Sequence, residues 1–307
     1  MHEQIYRWQN MAKARLHHVL RRCFNQQTRN NIKGWQRSAR KHMSKAFILV
    51  HGTYSAKEIV DNLRARIPKH AEILMVHSSF DKLLPMYRGG PQELIDELIA
   101  YCGKNLTLVM PAFVLGGRLY DKKQYFATHP FDVLRTPSEM GLLSEVFRRT
   151  PGVIRSLHPT HSVCAIGPLA EQLTANQHLA TTRAGSGTPF EVMTLKSTAI
   201  VGLGVEYYRC IAHTHTAEDI LGDEFPVKFR REPIPVVLID RSRNKIPYSL
   251  TIPQASKPLD NTLLRSLLSK NELIEWTFRG TAMFVTVASV VTERLIQAAR
   301  KGVTVYD

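Results

Sequence analysis

No apolar run in this 307-residue chain approaches the roughly 18–20 residues needed to cross a bilayer. The longest, Ala282 to Val291, fits a core strand and the start of a helix. Cysteine is scarce: Cys23, Cys102, Cys164 and Cys210 are far apart and form no Cys-x-x-Cys pair. That spacing excludes a disulfide scaffold or a zinc knuckle and suits buried thiols in a reducing compartment. No apolar stretch precedes a cleavage site near the N-terminus, so no secretory leader is expected. The chain has no Gly-x-Ser-x-Gly elbow, which argues against a serine hydrolase, and no His-Glu-x-x-His. Gly202-Leu203-Gly204 lacks the third glycine of a dinucleotide fingerprint. With 44% hydrophobic and 22% charged residues, the composition is that of a globular protein with a proper core, not of a disordered or collagenous chain.

What is present is an uneven positive charge. Of the net +15, residues 1–46 carry +10, from eleven Lys/Arg against Glu3 alone. Within them Ile5, Trp8, Ala12, Leu16, Val19, Leu20, Cys23 and Phe24 recur at helical spacing between basic residues. This describes a basic amphipathic helix that packs on the body, lies on an anionic membrane or binds nucleic acid. The remaining 47–307 are only mildly basic.

From Phe47 onward strands and helices alternate. Ser55-x-x-Glu58 is a capping box starting a helix to Arg66. Glu72–His77 reads as a buried strand, Pro91 to Gly103 as a helix and Leu106–Met110 as a strand. Thr136-Pro137-Ser138-Glu139 is expected to cap a helix to about Arg149. Further strands are expected at Ser162–Ile166 and Thr198–Gly202, a hairpin at Val236–Asp240 and Ile246–Leu250, strands near Leu273–Phe278 and Thr281–Val287, and helices at Pro258–Ser269 and Ser289–Lys301. The pattern predicts an α/β fold, a single mixed-sheet domain over 47–307, partly antiparallel toward the C-terminus, preceded by the basic helical extension 1–46.

Three segments place polar residues where a buried strand ends, the ligand-binding edge of open α/β sheets. They are His77-Ser78-Ser79, His158-Pro159-Thr160-His161-Ser162, and His213-Thr214-His215-Thr216-Ala217-Glu218. Two chemistries fit. His213-x-His215 with His158, His161, Glu218 or Asp219 can ligate a metal if residues 213–215 are extended, as in a metal-dependent hydrolase. Alternatively, a histidine oriented by a carboxylate serves as general base for an amine nucleophile, with hydroxyls and turn amides stabilising an oxyanion.

The order of motifs resembles a known family. Leu74-Met75-Val76-His77-Ser78-Ser79 is followed by Gly89-Gly90-Pro91 and Phe131-Asp132-x-x-x-Thr136-Pro137. Then come Met140-Gly141-x-x-x-Glu145, Arg155-Ser156-x-His158-Pro159-x-x-Ser162 and His215-x-Ala217-Glu218. Over about residues 48–300 this series is similar to the aminoglycoside 3-N-acetyltransferases, whose α/β fold is distinct from the common acetyltransferase fold. The resemblance implies acetyl-CoA (or another acyl-CoA) as co-substrate, no metal, and direct attack of an amine on the thioester in a ternary complex. It further implies His158 as the essential histidine, Glu218 as its or the amine's partner, and His77 near the reacting centre. Ser78, Ser79, Phe80 and Ser162 would contact coenzyme A, and His215, Thr160 and Asp219 the acceptor.

Departures concern the acceptor. Thr160 stands where many antibiotic-modifying members have Asp, and Thr188-Pro189 replaces a Ser-Pro pair. The loop 112–130 is basic through Arg118, Lys122 and Lys123. A polycationic aminoglycoside suits an acidic pocket, whereas this charge would suit an amino sugar bearing phosphates, such as a nucleotide-linked sugar for polysaccharide synthesis; a loop that binds coenzyme A's own phosphates or faces water leaves the aminoglycoside equally open. The expected setting is cytoplasmic, with peripheral membrane contact through 1–46 and a homodimer both compatible, and no nucleic-acid partner for the domain itself. A non-enzymatic membrane- or nucleic-acid-binding role of 1–46 is the alternative from another class.

Overall fold

The structure, a computed structural model, describes residues 44–115, 122–209, 212–255 and 263–306. The chain divides into the units Met1–Gly52 and Thr53–Asp307. Of the first, residues 44–51 are helical, so the helix carries across the expected boundary at 46/47. The amphipathic helix of 5–24, the basic loop residues 118–121, Cys23 and Cys210 lie outside the described residues, as do the side chains of Lys122 and Lys123.

The second unit is built on a seven-stranded mixed sheet. Its strands are β1 (Ile73–Ser78), β2 (Thr107–Pro111), β4 (Ile154–Arg155), β5 (Val163–Ile166), β6 (Thr198–Leu203), β9 (Ile274–Phe278) and β10 (Thr281–Val287). The spatial order is β4-β5-β2-β1-β6-β10-β9. Only β2, β1 and β6 run parallel; β5 turns back against β2 and β10 against β6. Antiparallel pairing therefore flanks the sheet on both sides, not only toward the C-terminus as expected. The reason lies in the chain's path: β5 enters from the 156–162 loop at the C-terminal end of β2, so it can only run back.

Helices cover both faces. The capping box forms as expected and starts α1 (Ala56–Arg64), while α2 (Pro91–Cys102) carries Pro91 in its first turn. With α3 (Leu142–Arg149) they bury Leu74, Val76, Leu108, Met110 and Val201 on one face. The alternate residues Ile73, Met75, Val109 and Ile200 pack against α4 (Pro189–Leu195), α5 (Thr214–Leu221) and α6 (Ala288–Arg300) on the other. The helix expected to start at Thr136–Glu139 begins only at Leu142, after Gly141 at φ 104°. Those four residues instead follow the turn at 133–135 as irregular chain, in which the Asp132 amide donates to Thr136 Oγ1 and the Ser138 amide to Glu145.

The predicted hairpin is longer and separate. β7 (Phe229–Ile239) and β8 (Lys245–Ala255) join β3 (Phe131–Asp132) in a second, three-stranded sheet. Ile234, Val236 and Leu238 alternate with exposed residues, so β7 buries one face only, against Phe126, Phe131 and Leu157. An inner strand of the main sheet would need both faces apolar. Gly202 is a packing glycine rather than part of a nucleotide loop: a Cβ there would lie 2.1 Å from the Phe284 ring.

Candidate active site

β1 is the central parallel strand, and the chain leaves it toward β2 on one side and returns as β6 on the other. The crevice past its C-terminal end is a topological switch point. His77 stands on that end, the 156–162 loop enters beside β2, and α5 follows β6, so the fold gathers all three histidine segments at one edge of the sheet.

The Arg155-to-Ser162 segment is a loop bolted at both ends. Arg155 and Ser162 are buried; the Arg155 Nε donates to Ser162 Oγ (3.0 Å), and Ser162 Oγ donates to the Ala112 carbonyl (2.7 Å). The Arg155 guanidinium also donates to the Thr136 and Ala112 carbonyls and lies 4.7 Å over the Phe131 ring. Inside this clamp the chain folds over His158, which is 2% exposed. Its Nδ1 accepts the backbone N–H of Thr160 (3.2 Å) and of His161 (3.1 Å). Burial, with the nearby Arg183 charge, pushes its pKa down to about 3, so the ring is neutral. A neutral imidazole whose Nδ1 accepts must carry its hydrogen on Nε2. In this arrangement the His158 imidazole carries its hydrogen on Nε2.

Glu218 is 1% exposed in the first turns of α5. The Arg183 guanidinium and the Tyr306 hydroxyl (2.7 Å) donate to it, and His215 Nδ1 lies 3.0 Å away. Burial alone would push this carboxyl up, but His215, Arg183 and Tyr306 together hold it below its ordinary value. His158 and Glu218 are not hydrogen-bonded to each other: backbone amides take the His158 Nδ1, and Arg183, His215 and Tyr306 take the carboxylate. His215 is a link in this network, its ring 5.5 Å from that of His161. Thr160 supports the site, giving its amide to His158 and pairing its hydroxyl with His161 Nδ1 (2.9 Å).

A cavity of about 110 Å³ opens on His158 between the 180–183 segment and the β8 edge. Asp219, Arg183, Arg231 and Tyr248 line it. Burial raises the Asp219 carboxyl, and the Arg183 charge and the Ala184 amide (2.8 Å) only partly offset this. A larger cavity, about 260 Å³, runs under the β7–β8 turn beside Arg155, Glu171 and Arg241, and His158 does not line it.

Three of the residues expected to contact coenzyme A have structural duties. Ser162 is the bolt described above. Phe80 packs edge-on to Tyr87 in the core. Ser79 donates its hydroxyl to Asp81 (2.7 Å) and its amide to the Leu203 carbonyl. Ser78 stays partly exposed at the end of β1. Two residues of the third histidine segment come forward instead. His213 is 3% exposed with neither ring nitrogen hydrogen-bonded, and Thr216 Oγ1, one turn further along α5, is likewise buried without a partner. The i, i+2 alternation puts His77 on this same face, and burial with the neighbouring His77 pushes His213 down to about 3. Burial likewise pushes His77 down to about 4. His213 and His215 diverge, the first toward Phe190 and the second toward His161 and Glu218, because they sit where α5 begins rather than on a strand. Among the described residues no group of three or more His, Cys, Asp or Glu side chains is placed to hold a metal ion.

The structure thus defines an α/β protein with three histidine-bearing segments gathered at the C-terminal ends of its parallel strands and a cavity opening on His158. The sequence profile of the aminoglycoside 3-N-acetyltransferases matches residues 75–292, and the chain belongs to that family. It is 40% identical over 103 residues to aminoglycoside N(3)-acetyltransferase IV of Salmonella sp, covering 33% of this chain and 35% of that protein. The chain spans between a third and about half of the length of the curated relatives it matches first. The solved structure of aminoglycoside acetyltransferase AAC(3)-Xa superposes with a TM-score of 0.70 at 20% identity, over 86% of this chain and 99% of that one. The binary structure of AAC-IIIb with CoASH superposes at 0.64 and 19%, over 83% and 99%. At these identities the superpositions establish the fold.

Proposed function

We propose that this chain is an acetyl-CoA-dependent N-acetyltransferase that acylates the amine of an amino sugar, of the aminoglycoside or nucleotide-linked class, in a ternary complex. The observation that carries the reading is the imidazole of His158, held at Nδ1 by two backbone amides and lining a cavity that also contains Asp219. Acetyl-CoA supplies the thioester carbonyl; the C–N bond forms as the C–S bond breaks, and the nitrogen's proton ends on the thiol sulfur. His158 Nε2–H donates to the carbonyl oxygen as it gains negative charge. Asp219 receives the acceptor's nitrogen and takes its proton as bond formation makes that nitrogen acidic. Glu218, Arg183, His215 and Tyr306 hold α5 and the 180–183 segment in register, which makes Glu218 a positioning residue.

The residues present fit the pantetheine amides of coenzyme A. His213 and Thr216 offer buried, unpartnered polar atoms beside His77, and they would hold that arm. No helix among the described residues is long and apolar enough to cross a membrane. The test is thiol release from acetyl-CoA against a panel of aminoglycosides and nucleotide-linked amino sugars. Acceptor-dependent release that is lost in His158→Ala supports the reading. Full release in that variant, or none with any amine, refutes it.

A further inference from the structure

The charge lining the His158 cavity decides what kind of amine it takes. Arg183 is neutralised, since Glu218 and Asp219 both face it. His158 is neutral. Arg231 remains, on the β7 edge of the same cavity. Strand alternation isolates it: Arg230 and Glu232 share the opposite face of β7 and pair with each other, which leaves Arg231 with no carboxylate partner among the described residues. Its cross-strand neighbour is Pro253, and the register places Thr251 and Ser249 on the same face, opposite Pro233 and Pro235. That wall of the cavity therefore carries one uncompensated cation, two hydroxyls and no acid.

We propose that the acceptor is a zwitterion: the amine addressed by Asp219 and His158 belongs to a molecule that also carries an anionic group, a phosphate or carboxylate, received by Arg231 with the Thr251 and Ser249 hydroxyls. A guanidinium with adjacent hydroxyls is an anion-binding set. A polycation meets repulsion there. The inference rests on the acetyltransfer reading for the amine, and on the hairpin wall alone for the anion.

The experiment compares glucosamine, glucosamine 6-phosphate and gentamicin by thiol release. In parallel, calorimetric binding of glucosamine 6-phosphate is measured for the full chain and for Arg231→Ala, Arg231→Lys and Arg231→Glu. A charge-assisted contact predicts about a 10-fold or larger preference in kcat/KM for the phosphorylated sugar over glucosamine. Arg231→Ala should abolish that preference, Arg231→Lys restore part of it, and Arg231→Glu shift selectivity toward gentamicin. The KM for acetyl-CoA should stay unchanged in all three, and the preference should fall with added salt because Arg231 is exposed. Equal use of the two glucosamines, or gentamicin as the best substrate of the wild type, overturns the proposal. A rise in the acetyl-CoA KM of Arg231→Ala overturns it by assigning the cation to the co-substrate's phosphates. Arg231-dependent binding without thiol release for any amine keeps the anion site and refutes the acetyltransfer reading.

Discussion

Replacing His158 three ways separates its two jobs. Its Nδ1 accepts two backbone amides, and the residue lines the cavity, where the Nε2–H is its remaining polar group. His158→Ala loses both. Two buried amides left without an acceptor cost about 1–3 kcal/mol each, so the variant should lose about 2–6 kcal/mol of stability. At about 2–4 °C per kcal/mol for a unit of this size, Tm should fall by at least about 4 °C. Loss of one donor to a developing oxyanion should lower kcat by about 100- to 1,000-fold. His158→Asn places a carbonyl oxygen near the Nδ1 position and should recover most of the stability but not the rate. His158→Gln places an amide N–H near the Nε2 position and should recover rate while remaining less stable. Calorimetric melting and steady-state thiol release read the two effects separately. With His158 neutral throughout, kcat/KM should rise with pH toward the acceptor's own ionisation, with no limb between pH 6 and 7. A glutamine variant as inactive as alanine, in an enzyme whose wild-type profile shows a histidine limb, would refute the donor role.

Further outcomes follow from the same geometry. Buried His158 and His213 titrate far below the 6.5 of an unfolded histidine, so the unfolded chain takes up their protons first. Stability is then retained above about pH 6.5 and lost as pH falls toward 4, by about 1.4 kcal/mol per pH unit for each of the two, as urea melts at several pH values would show. Ser162→Ala removes the bolt between Arg155 and Ala112 and should cost about 1–3 kcal/mol with an unchanged KM for acetyl-CoA; a tenfold rise in that KM would return Ser162 to the co-substrate site. Glu218→Gln leaves buried Arg183 with only the more distant Asp219 carboxylate (3.8 Å) and should cost up to about 3–5 kcal/mol, whereas Tyr306→Phe should cost about 1.5–3 kcal/mol, both read by denaturant midpoints.

Much of the fold was legible because local rules set it. The Ser55 capping box, Pro91 at a helix start and the unbroken apolar run of β1 each act within a few residues. The three histidine segments were legible for a related reason, since polar residues that interrupt buried strands mark the ligand edge. What the sequence concealed depends on distant pairing. Arg183 reaches Glu218 across 35 positions and Tyr306 reaches it across 88, and neither arginine nor tyrosine sits in a periodic pattern. Ser162 resembles a cofactor contact by type and spacing, and only the strand pairing of β4 with β5 shows that its hydroxyl already has both partners. The tautomer of His158 is likewise set by backbone amides, which every residue but proline carries and no motif advertises. The separate hairpin sheet was missed because one-sided alternation looks the same on an edge strand of the main sheet and on a strand of another.

The protonation state of His158 is the most direct test. Nitrogen-15 shifts of its imidazole, assigned by comparison with His158→Gln and followed from pH 5 to 8, report which nitrogen carries the hydrogen. The account predicts a neutral ring across that range with hydrogen on Nε2 and a bare, amide-bound Nδ1. A ring protonated on Nδ1, or one that titrates between pH 6 and 7, would contradict it and return His158 to the role of general base.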